Sequence, residues 1–106
     1  MIAAFKLFRL RRDGSLGPLF INRNQVLELG VWYGAGCYPT AGFAVRPGWH
    51  AMAQPTAPHL KTTLKSGERR VWCRVSLLEA KPEQRPASQG GHWFLAKWLR
   101  IEEVLP

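Results

Sequence analysis

At 106 residues the chain has room for one hydrophobic core, and 46% apolar residues with five Trp and five Phe are far from the composition of a disordered chain. No apolar run approaches the roughly 18 residues needed to cross a bilayer, and Lys6 and Arg9 interrupt the opening stretch that an export signal would keep apolar. Fifteen Lys and Arg against seven Asp and Glu give a net charge of +8, which favours a polyanionic partner. These properties predict one domain over residues 1–106, cytoplasmic, without a membrane partner and with Cys37 and Cys73 as free thiols rather than a bridge.

Turn residues cut the chain into short pieces that read as strands, so the expected fold is mainly β: a small antiparallel sheet or partly open barrel built from hairpins, with at most one or two short helices. Phe5 to Arg12 is the first strand, ending at Asp13-Gly14, a pair suited to the positive φ of a tight hairpin turn. Leu16 to Ile21 is the returning strand, with Pro18 placing it near an edge. A short strand around Val26 to Leu29 follows, and the glycines between Gly30 and Thr40 predict a loop. Phe43 to Val45 runs as a strand into Arg46-Pro47-Gly48-Trp49, where Pro before Gly predicts a type II turn with Gly48 at positive φ. Extended structure resumes at His50 to Ala53.

Lys61 to Lys65 and Glu68 to Leu78 flank Ser66-Gly67, a second expected hairpin. The alternation is clearest here: Val71, Cys73, Val75 and Leu77 share one face, and Arg70, Trp72, Arg74 and Ser76 the other. Glu79 to Gly91, with Pro82 and Pro86, reads as a long polar loop. His92 to Leu105 fits either a strand or a helix, and its aromatic content favours the strand.

The chemistry-bearing residues form no familiar enzyme motif. His50, His59, His92, Cys37 and Cys73 show none of the local spacings that preorganise zinc, so no metal and no cofactor are expected. Asp13 is the only Asp, and the glutamates show no spacing suited to paired acid–base work. His50, beside a constrained turn and near Arg46, is the one candidate for an acid, a base or a hydrogen-bond anchor.

The cations, ten of them Arg, cluster in two places. Arg9, Arg11 and Arg12 end the first strand. Arg69, Arg70 and Arg74 surround Trp72. Guanidinium groups track phosphates and an indole offers a stacking surface, which is what single-stranded nucleic acid requires. Trp72 fits equally as cover for the sheet.

Three stretches together resemble a loose group of small proteins common in bacteriophages and prophages: Gly42-Phe43 through Gly48-Trp49-His50, Arg70-Val71-Trp72 with Val75, and Leu95-Ala96-Lys97 with Leu99-Arg100-Ile101. The resemblance implies a compact β-rich fold and a phage-type origin, and it assigns no activity and no catalytic residue. The leading expectation is therefore a non-enzymatic basic binding module, an accessory or anti-defence protein. It would dock its Arg/Trp face on nucleic acid or on an acidic host protein that handles nucleic acid. The alternatives are a small transferase or hydrolase using His50 and Arg46 in a cleft, and a structural subunit anchored by exposed Trp.

Overall fold

The computed structural model describes residues 1–19, 24–35, 48–56, 62–63, 69–89 and 91–106. Six strands make one antiparallel sheet: β1 (Ile2–Leu10), β2 (Leu16–Gly17), β3 (Trp32–Gly34), β4 (Trp49–Met52), β5 (Arg69–Gln84) and β6 (His92–Val104). The only helical segment among the described residues is a 3-10 turn at Ala87–Gln89. β5 pairs with both β1 and β6, and β4 also pairs with both, so these four strands form a closed circuit of pairings.

Alternation places the main core inside that circuit. Ala4 and Phe8 from β1, Ala51 from β4, Cys73, Val75 and Leu77 from β5, and Ala96, Leu99 and Ile101 from β6 are at most 1% exposed and pack in one cluster. The predicted face of β5 is this core face. A second, smaller cluster brings Met52 and Trp93 together with half-buried Trp72.

The hairpin at Asp13-Gly14 forms as expected. Gly14 sits at φ 87°, its N–H donates to Arg11 O at 3.0 Å, and Asp13 Oδ1 accepts from both the N–H and the hydroxyl of Ser15. Those hydrogen bonds hold the Asp13 carboxyl below its ordinary pKa. Ser66-Gly67, Phe43 to Val45, Cys37 and His59 lie outside the described residues. The flanks of the second expected hairpin do meet, through an antiparallel bridge of Thr63 with Arg69.

Several boundaries differ from the sequence expectation. The returning strand β2 is only two residues long, and Leu27 and Leu29 each make an isolated bridge instead of a continuous strand. Trp32–Gly34, expected as loop, is the strand β3, because β6 offers it a free edge. Glu79 to Gln84, also expected as loop, continues β5: Pro82 is opposite Phe94, and among the described residues this half of β5 pairs with β6 alone, so the missing proline N–H breaks no second ladder there. Gly48 does not take a positive φ. The space beside it is what calls for glycine, since a Cβ there would collide with the Leu95 side chain.

β6 is a strand, but not one with a single face. Glu79 adopts a left-handed φ of 51°, and around it the alternation changes phase. Leu77 and Ala80 on β5, like Leu99 and Ala96 on β6, all pack in the main core, while Trp93 belongs to the second cluster. A further irregularity follows Arg74: Arg74 is opposite Glu103 and Val75 opposite Ile101, leaving Glu102 as an extra residue on β6. No helix among the described residues is long and apolar enough to cross a membrane.

Candidate functional site

The β1–β5 register brings the two arginine clusters of the sequence to one end of the sheet. Arg9 is directly opposite Arg70, and Leu10 is opposite Arg69. Arg11 and Arg12 follow immediately in the turn. Five arginines therefore gather where the neighbouring acids along the chain are Asp13 and Glu68. Like charges placed directly opposite across a ladder repel, which makes this end receptive to an anion.

The five are not equivalent. Arg11 is a framework residue: its guanidinium donates to Leu16 O at 3.0 Å and Gln25 O at 2.7 Å, and it closes over Gly17, where a Cβ would overlap it. Arg9 donates to Leu19 O at 2.9 Å, tying β1 to the segment after β2. Arg70 is half-buried and its N–H donates to Thr62 O at 2.9 Å. Arg12 and Arg69 are exposed. Arg74 lies farther along β5, half-buried and paired with Glu103 at 3.0 Å.

Trp72 shares the arginine side of β5, but it packs against Met52 and Trp93, and its backbone O accepts from Leu105 N at 2.8 Å. Its indole is thus cover for the second cluster first. The exposed indole is Trp98 on β6, at 43%. The signal that could have found Trp98 is plain alternation: Leu99 and Ile101 face the core, which leaves Trp98 and Arg100 on the other side of β6.

Arg46 lies outside the described residues, so the expected His50–Arg46 pair has no geometry here. His50 instead has a carboxylate beside it: its Nε2 is 3.5 Å from Glu83 Oε2, and the ring meets Trp93 edge-on at 6.2 Å between centroids. Glu83 Oε1 also accepts from Arg85 at 3.0 Å, and Arg85 stacks over Trp93 at 5.1 Å. Glu83 was invisible as a partner because its segment read as loop. A carboxylate beside an imidazole fixes the orientation of the ring. A small depression nearby is lined by Met52, Ala53, Gln54, Thr56 and His92.

Lys6 and Cys73 are ionisable groups on the core side of the sheet. Lys6 shares the inward side of β1 with Ala4 and Phe8, donates to His50 O at 2.6 Å, and sits 5.9 Å from the Phe8 ring centroid. Burial pulls its pKa down to about 8. Cys73, opposite Lys6 across the ladder, is a buried free thiol whose pKa burial pushes up to about 12. On the outer side, Arg100 pairs with Glu102, and with Ser76 it holds the Glu102 carboxyl below its ordinary pKa. Comparison with family models, curated proteins and solved structures returns no match for this chain.

Proposed function

We propose that the protein is a small basic binding module, cytoplasmic and phage-type, that docks its arginine-rich end on nucleic acid as an accessory or anti-defence protein. The observation that carries this reading is the register that sets Arg9 opposite Arg70 and adds Arg12 and Arg69 at the same end. Clustering of this kind costs repulsion in the free protein, and a polyanion relieves it. Arg supplies two parallel donors to a phosphate where Lys would supply a point charge.

A salt titration of binding to labelled single-stranded and duplex oligonucleotides tests it. Each neutralised phosphate releases counterions, so affinity falls linearly on a log–log plot. Replacing Arg12 and Arg69 with Gln should flatten the slope by roughly one unit for each phosphate no longer neutralised. Both side chains are exposed, so the double variant keeps its fold. Wild-type protein that binds neither oligonucleotide at low salt would remove nucleic acid as the partner and leave an acidic host protein to be sought. A second reading, a small enzyme using His50 as acid or base, is favoured by the Glu83 carboxylate beside it. That reading needs a bound substrate analogue at His50 in a complex structure.

A further inference from the structure

We propose that the outer face of β3 and β6 is a base-stacking platform for single-stranded nucleic acid, with Trp98 as its main surface and Trp32 as its second. The inference rests on the polyanion reading above and narrows it to a strand with unstacked bases. The Trp98 indole lies over Gly34, its cross-strand partner: a Cβ at that position would stand 3.2 Å from one ring atom and 3.3 Å from the next. Glycine lets the ring lie against the sheet, and the 43% exposure of Trp98 leaves it open toward solvent.

Trp32 is the diagonal neighbour of Trp98, since Gly34 is opposite Trp98 and Trp32 is opposite Arg100. Diagonal positions lie about 7–8 Å apart, within reach of large rings. The Arg100 guanidinium lies over Trp32 at 4.6 Å from the ring centroid, a cation–π contact, and guanidinium groups also accept a stacked base. Leu78, opposite Trp98 on β5 and 37% exposed, extends the apolar row. Lys97 flanks it in sequence with positive charge, while the charge of Arg100 is shared with Glu102.

The occupant follows from charge. A second copy of the chain brings another +8 against the first, which opposes self-docking. A nucleic-acid strand brings phosphates for the cations and π-faces for the indoles. Along β5 from Leu78 to Arg70 the strand rise gives about 26 Å, a span that a single strand of the 4–16 nucleotides typical of such grooves can follow from platform to arginine end.

The test is fluorescence anisotropy with a labelled oligothymidylate and a duplex of equal length, for wild type, Trp98→Ala and Trp98→Phe. Trp98→Ala should weaken single-strand binding roughly 5- to 150-fold, leave duplex binding unchanged, and keep the salt slope that the arginines set. Trp98→Phe, which keeps an aromatic face, should retain most of the affinity, and an unchanged thermal melt of Trp98→Ala separates lost stacking from lost folding. If Trp98→Ala binds the single strand as wild type does while the salt slope persists, the platform is refuted and the arginine reading stands. If wild type binds no oligonucleotide, both fall. Light scattering that finds a wild-type dimer and a Trp98→Ala monomer, with oligonucleotide affinity unchanged, overturns the platform in favour of a self-interface.

Discussion

Lys6→Met should become less favourable relative to wild type as pH rises, because the native lysine is held charged where its charge is disfavoured. Its pKa is 10.5 when exposed and about 8 in the fold. Between those values the unfolded chain binds more protons than the folded one, so wild-type stability contributed by this group rises with pH. The burial cost of keeping Lys6 charged is about 3 kcal/mol at neutral pH, and about 2 kcal/mol of it disappears by about pH 9.5. Met keeps the stem's volume and removes the charge, but leaves His50 O without the donor now 2.6 Å away. Removing that bond costs about 1–3 kcal/mol, which offsets much of the gain at neutral pH. The pH dependence of the difference is therefore the sharper readout than its absolute value.

Cys73 titrates in an overlapping window with the opposite sign. Its folded pKa is raised from 9.0 to about 12, so stability is lost as pH rises above 9. That effect is common to both proteins and cancels in the comparison. Urea denaturation of wild type and Lys6→Met at about pH 7 and about pH 9.5 measures it. The wild type should gain about 2 kcal/mol on the variant across that interval. A difference that stays flat would mean that the ammonium is solvated, and the placement of Lys6 inside the strand circuit would be wrong.

Gly48→Ala should destabilise the fold by about 1–2 kcal/mol through overlap with Leu95, and a second change, Leu95→Ala, should remove the conflict. If Leu95→Ala gives no relief in a thermal-melt double-mutant cycle, crowding is not the reason for glycine there. Cys73 should resist a thiol reagent in the native protein and react on unfolding, as peptide mapping by mass spectrometry can report. Fast native labelling at Cys73 would contradict its burial.

The fold class was legible because β periodicity is local: the alternation from Val71 to Leu77 and the Asp13-Gly14 turn each depend on a few adjacent residues. The strand character of His92–Val104 was legible for the same reason, through its aromatic content. Features set by partners elsewhere in the chain were not. β3 is a strand because β6 presents an edge to it, and Pro82 is tolerated in β5 because that half of the strand has one neighbour among the described residues. The phase change around Glu79 brings Ala80 and Ala96 to the core side and puts Trp93 into a second cluster.

The composition by itself carried the positive charge, the Arg bias and the two clusters of arginine. Their union into one end was decided by the β1–β5 register, which pairs residues some sixty positions apart, and no local rule specifies such a pairing. Tertiary packing also sorted the arginines by task. Arg11 is tied to carbonyls across the hairpin, whereas Arg12 and Arg69 are left in solvent. The sequence determines which groups the chain has. Burial and distance determine which of them are free to meet a ligand.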